Sequence, residues 1–164
     1  MQGVMRDALP LLFVVVLAQS AAPSILPAQK HVPKHLTLTT GTSTTRATPG
    51  SKVSLFIDVT PNPGIHVYAP GAKDYLPIAV KLEPLADVAV GKTGYPASEL
   101  MLFAGEKVPV FQRPFRLVED VTIAKSVKAG TALTINGTLN YQACDDQVCF
   151  IPAKAPVTWT ITIQ

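Results

Sequence analysis

Two cysteines, Cys144 and Cys149, are the only ones among 164 residues. They lie in the run Tyr141-Gln142-Ala143-Cys144-Asp145-Asp146-Gln147-Val148-Cys149-Phe150-Ile151-Pro152, with four residues between them. A pair this close, with turn-forming aspartates between, readily meets the roughly 5.5 to 6 Å Cα separation of a disulfide. In the chain-entropy picture a closed loop of about six residues is worth only about 2 kcal/mol, against about 4 for a long inter-sheet bridge. Spacing alone leaves two chemistries open. One is a local disulfide that pins a hairpin of an exported domain. The other is a pair that opens and closes by thiol–disulfide exchange, where a second nearby thiol resolves the mixed disulfide. Asp145 and Asp146 disfavour a neighbouring thiolate, which suits exchange with one docked partner better than broad reactivity. The thioredoxin-type C-x-x-C spacing is absent.

Other residues weigh less. His66 on an alternating strand reads first as a packed or hydrogen-bonded residue, and as a metal ligand or general base second. A metal-handling site using Cys144, Cys149 and His66 or Met101 is the weakest reading, because the ligand set is incomplete. Met101 and Phe103 fit a partner surface or a loop clamped on its own core equally well. Trp159, flanked two residues away by Val157 and Ile161, reads as core. Asn136-Gly137-Thr138 matches a glycosylation sequon but lies inside a strand pattern. No Ser-His-Asp order, phosphate loop or paired-carboxylate site stands out, and no prosthetic group or metal is expected.

These residues must be held by short strands. Fifteen prolines, ten glycines and 7% aromatics disfavour long helices, and the length suits one domain. The net charge of +3 comes from scattered basic residues, so no nucleic-acid partner is expected. Expected strands are 35–40, 52–60, 65–68, 78–83, 108–111, 115–123, 132–141 and 156–163. Val53, Leu55, Ile57 and Val59 alternate with polar or outward positions, as do Leu133, Ile135 and Leu139, and Val157, Trp159, Ile161 and Ile163. Eight such runs separated by turns predict an all-β, immunoglobulin-like antiparallel β-sandwich. The segment 91–105, with Tyr95, Met101 and Phe103, reads as a long irregular loop carrying exposed aromatics.

At the N-terminus, Arg6, the apolar run Ala8 to Ala18 and the small residues Ala18-Gln19-Ser20-Ala21 predict a signal peptide over residues 1–20. Residues 21–34 read as a flexible lead-in, and 35–164 as the domain. The mature chain is expected to be exported, periplasmic or otherwise, and not inserted in a membrane.

The run Tyr141-Gln142-Ala143-Cys144, with Cys149-Phe150-Ile151-Pro152 and Pro156-Val157-Thr158-Trp159, resembles the N-terminal periplasmic domain of the thiol-disulfide interchange protein DsbD. Gly64-Ile65-His66-Val67-Tyr68, Leu76-Pro77-Ile78 and Tyr95-Pro96 fall in the order of that family's other landmarks, and the resemblance covers about Leu36 to Ile163. It implies an immunoglobulin-like domain whose two cysteines pass reducing equivalents to exported thioredoxin-like proteins. By the resemblance, Cys149 forms the mixed disulfide and Cys144 resolves it, while His66 and Tyr68 are the aromatics beside the pair. A shielding cap aromatic corresponds loosely to Tyr95 or Phe103. This chain carries neither the transmembrane nor the C-terminal thioredoxin-like domain of full-length DsbD, so a separate membrane electron donor is implied. A non-enzymatic exported binding module with a structural disulfide is the alternative reading.

Overall fold

The computed structural model describes residues 33–103 and 105–164. The expected signal peptide and most of the lead-in lie outside the described residues. Twelve strands follow in chain order: β1 (Leu36–Thr42), β2 (Arg46–Ala47), β3 (Lys52–Pro61), β4 (His66–Tyr68), β5 (Ala79–Leu82), β6 (Val88–Gly94), β7 (Glu99–Phe103), β8 (Glu106–Phe111), β9 (Phe115–Ile123), β10 (Ala132–Tyr141), β11 (Ala143–Cys144) and β12 (Ala153–Ile163). The fold is the all-β, immunoglobulin-like sandwich the alternation predicts.

Two four-stranded sheets form the sandwich, in the orders β1-β3-β9-β6 and β2-β12-β10-β5. Their inward rows meet in one core, with Leu55, Ile57 and Leu117 from the first sheet against Ile135, Leu139 and Ile161 from the second. Every second residue of β3, β9, β10 and β12 is buried, as expected of sheets with one wet face. Trp159 is core as expected, and its Nε1 donates to the Phe56 carbonyl at 3.1 Å, tying one sheet to the other. Pairing is antiparallel except at the short β2, which runs parallel to β12.

A third four-stranded sheet, in the order β11-β4-β8-β7, was not expected as a separate layer. One face of it joins the main core through Val67, Phe111 and Ala143. The opposite face makes a small second core of Tyr68, Val108, Val110 and Cys144, with Ala72, Tyr75 and Met101 packed against it.

The loop expected over 91–105 is corrected: most of it is strand, the end of β6 and all of β7. β6 escapes the periodic signal because it is an edge strand whose last residues, Gly91-Lys92-Thr93-Gly94, are polar or glycine. Its register with β9 shifts between Val90 and Thr93. There a side chain at Gly91 would sit 2.8 Å from the Asp120 carbonyl oxygen, so only glycine lets the backbones approach. β7 reads as a continuous apolar run with Leu100 and Leu102 exposed, because it too lies at an edge.

Candidate functional site: a hairpin disulfide over a tyrosine

The chain leaving β10 doubles back on itself directly after β11. The Phe150 N–H donates to the Ala143 carbonyl at 2.9 Å and the Asp145 N–H to the Val148 carbonyl at 3.0 Å. Cys144 and Cys149 therefore face each other as the intervening, non-hydrogen-bonded pair of a tiny antiparallel ladder. They are joined by a disulfide, with their Cα atoms 4.0 Å apart. This is closer than the sequence spacing suggests, because narrow pairs of this type bring Cα atoms to about 4.5 Å even without a bond. Asp145 closes the turn: its Oδ1 accepts from the Gln147 and Val148 N–H groups, each at 2.8 Å. Those two backbone bonds hold its carboxyl below the ordinary aspartate range.

The two cysteines live in different surroundings. Cys144 is 1% exposed, at the centre of the second core. Cys149 is exposed at the rim. Beneath them β4 alternates strictly: Val67 pairs with Ala143 toward the main core, while His66 pairs with Cys144 on the opposite face. Tyr68 shares that second face, two residues on. Its hydroxyl lies 3.2 Å from Cys149 Sγ and 3.4 Å from Cys144 Sγ. Disulfide sulfurs carry no proton, so the phenol is the donor to both. Burial, and then the nearby Tyr75, push its pKa up, which keeps it protonated as a donor.

Tyr68 is backed by an aromatic row. Tyr75 stacks on it at 4.1 Å between centroids, and Phe103 meets Tyr75 edge-on at 6.3 Å. His66 meets Tyr68 edge-on at 5.6 Å and is 2% exposed. The Nε2 of His66 has no hydrogen-bond partner among the described residues, a situation that ordinarily costs about 1–3 kcal/mol. Burial lowers its pKa, and the Asp146 and Asp145 carboxylates oppose that shift. On the other side of the hairpin, His35 stacks on Phe150 at 3.8 Å.

Of the residues singled out from the sequence, Cys144, Cys149, His66 and Tyr68 converge, and Phe103 reaches the cluster through Tyr75. Tyr95 goes elsewhere: it packs against the main core beside Thr93 and Glu119. Tyr75 and His35 were not singled out. Tyr75 sits in a turn-rich stretch, with positive φ at Gly71 and Asp74, where no period marks an inward side chain. The one available signal was an aromatic residue a short way beyond the strand that carries Tyr68. Among the described residues no group of three or more His, Cys, Asp or Glu side chains is placed to hold a metal ion. No helix of the described residues is long and apolar enough to cross a membrane.

The site defines a class: an all-β domain that carries a hairpin disulfide between one buried and one exposed cysteine. The chain belongs to the family of the N-terminal domain of the thiol:disulfide interchange protein DsbD, whose family model matches residues 37–160. Among solved structures it is similar to the N-terminal periplasmic domain of ScsB from Proteus mirabilis, at 15% identity and a TM-score of 0.57, over 77% of this chain. The chain spans 46% of that ScsB chain. The Neisseria meningitidis DsbD n-terminal domain in the reduced form aligns at 17% identity and a TM-score of 0.46, over 71% of this chain and 80% of that one. A comparison with curated protein sequences returned no match.

Proposed function

We propose that this protein is an exported relay that carries reducing equivalents between thioredoxin-like partners through the Cys144–Cys149 couple. Residues 1–20 act as its signal peptide, residues 21–34 as a lead-in, and a separate membrane protein supplies its electrons. The periplasm is its compartment, in keeping with a ScsB domain of the same fold that is described as periplasmic. The observation that carries this reading is the asymmetry of the couple: Cys149 is exposed while Cys144 is 1% exposed. Exchange proceeds by attack of a thiolate on an accessible sulfur through a mixed disulfide. An incoming thiolate therefore bonds to Cys149 Sγ, the internal disulfide breaks, and Cys144 Sγ leaves with the electron pair. In the other direction Cys149 attacks the partner disulfide and Cys144 resolves the product. Tyr68 donates a hydrogen bond to whichever sulfur carries charge, and Tyr75 and Phe103 wall the site.

Redox titration in glutathione and thioredoxin buffers, combined with trapping by single-cysteine variants, tests this. The Cys144→Ala variant is expected to accumulate a mixed disulfide at Cys149, and Cys149→Ala to trap far less. A bond that stays oxidised in every buffer, with nothing trapped by either variant, would leave the alternative of a structural disulfide in a binding module.

A further inference from the structure

The ladder between β4 and β11 sets His66 directly across from Cys144, on the face that Tyr68 shares. Directly opposed residues of this kind hold their Cβ atoms about 4.5–5.5 Å apart, within reach of an imidazole and a thiol. His66 is 2% exposed, and its Nε2 has no hydrogen-bond partner among the described residues. In the oxidised protein that nitrogen is hydrogen-bonded to neither sulfur, so it is an open, buried proton site across the ladder from a sulfur that must gain and lose a proton.

We propose that His66 is the proton carrier for Cys144, taking the thiol proton on Nε2 when Cys144 attacks and returning it when Cys144 leaves. This rests on the relay reading above. The resolving step balances as follows. In the mixed disulfide the Cys144 thiol passes its proton to His66 Nε2, and Cys144 Sγ attacks Cys149 Sγ. The Cys144–Cys149 bond forms as the bond from Cys149 to the partner breaks, and the partner sulfur departs with the electron pair as a thiolate. His66 then gives up its proton to solvent or to that thiolate. Over the full cycle the domain loses two electrons and two protons, and the partner disulfide gains them. When electrons flow into the domain the steps reverse, and imidazolium protonates the departing Cys144 thiolate.

The other groups facing this point are poorer carriers. The Tyr68 phenol is held protonated by burial, so it has no vacant site for the thiol proton. Asp145 Oδ1 accepts from the Gln147 and Val148 amides, and these bonds hold the carboxyl below the ordinary aspartate range, which makes it a weak base. Asp146 is exposed at the tip of the turn. Val110 and Phe111 of β8, which pair with Tyr68 and Val67, are apolar. His66 is neutral at pH 7, since burial holds it below the ordinary histidine value. Once protonated, it is favoured by the charges of Asp146 and Asp145.

The test uses the reduced full chain mixed with the aromatic disulfide of thionitrobenzoate in stopped flow. Two coloured releases separate the two chemistries. The first depends on reagent concentration and reports attack by Cys149. The second is unimolecular and reports resolution by Cys144. For His66→Gln, the ratio of the second rate to the first is expected to fall about a hundredfold or more at pH 7, in the range of one lost general base. In the wild type the unimolecular second rate itself rises with pH through the His66 imidazole titration, whereas in the variant it rises only through the thiol range above about 8.5. An unchanged ratio with an unchanged pH profile overturns the proposal. A second measurement needs no variant: the His66 imidazole, followed by NMR, is expected to titrate at different pH in the oxidised and reduced wild type. Identical titrations overturn the proposal as well. Absence of the first release would instead overturn the relay reading, and this proposal with it.

Discussion

At the scale of single residues, the phenol of Tyr68 and the carboxylate of Asp145 do separable work. A hydrogen bond to an ionised sulfur is stronger than one to a neutral sulfur. Tyr68→Phe keeps the stack on Tyr75 but withdraws the donor that lies 3.2 Å from Cys149 Sγ. The midpoint of Cys149 alkylation against pH should then move up by about one unit, the equivalent of about 1.4 kcal/mol. A midpoint within a few tenths of the wild type would show that the phenol is only a wall. Asp145 has a different readout. Its folded pKa is depressed by the Gln147 and Val148 amides, so its hold on the turn is present above the unfolded value of about 3.9. That hold is lost as pH falls through the lower folded value. Asp145→Ala should speed hydrogen exchange at Gln147 and Val148 at neutral pH, while Asp145→Asn, which keeps an acceptor oxygen, should change it little. The cysteine pair was legible from its spacing, whereas His66 and Tyr68 were placed beside it through the family resemblance, alternation by itself marking them only as strand residues. Tyr75 was not legible, because its side chain is aimed by a turn rather than by a period. Tyr95 was misleading for the converse reason: its aromatic-proline motif is real, but the strand before it points the ring into the main core.

At the scale of elements, β9 carries one polar residue in an otherwise apolar inward row. Glu119 is 4% exposed between Leu117 and Val121, and Thr93 donates to its carboxylate at 2.5 Å. Burial raises its pKa above the usual glutamate value. The folded state thus favours the protonated acid. Stability from this group is full below the unfolded value of about 4.3 and is lost as pH rises through the folded value. Glu119→Gln keeps an acceptor for Thr93 and removes the charge, so its melting temperature should exceed the wild type's at pH 7 and match it near pH 4. An equal difference at both values would show that charge is not the cause. β6 makes a steric prediction. Gly91→Ala drives a methyl group into the Asp120 carbonyl, and should cost about 1–3 kcal/mol in denaturant unfolding. Strands with a wet and a dry face, such as β3, β9, β10 and β12, were readable from alternation. β6 and β7 were not, since an edge strand need not alternate and a glycine required for close approach looks like a loop signal.

At the scale of the whole molecule, the disulfide is peripheral to what holds the fold together. The main core lies between the two large sheets, while Cys144 belongs to the second, smaller cluster. A loop of about six residues contributes only about 2 kcal/mol when closed. The reduced protein should therefore remain folded, with denaturant unfolding shifted by about that amount when a phosphine reductant is present. Global unfolding on reduction would mean that the bond is structural, and would count against a carrier that must survive in both states. The sandwich itself was foreseeable from the long alternating runs, but the third sheet was not, because β4 and β11 are too short to announce a pairing partner. β4 is where the two clusters touch, and its three residues are divided between them: Val67 serves one, His66 and Tyr68 the other. Because side chains alternate sides along a strand, a slip by one position would turn a phenol and an imidazole into the main core and leave a valine under the sulfurs. A residue inserted within His66–Tyr68 should therefore abolish the site while leaving the sandwich folded, whereas one inserted in the turn Asn62-Pro63-Gly64 should be absorbed there, because the three strand positions act as a phase setting that is kept or lost whole.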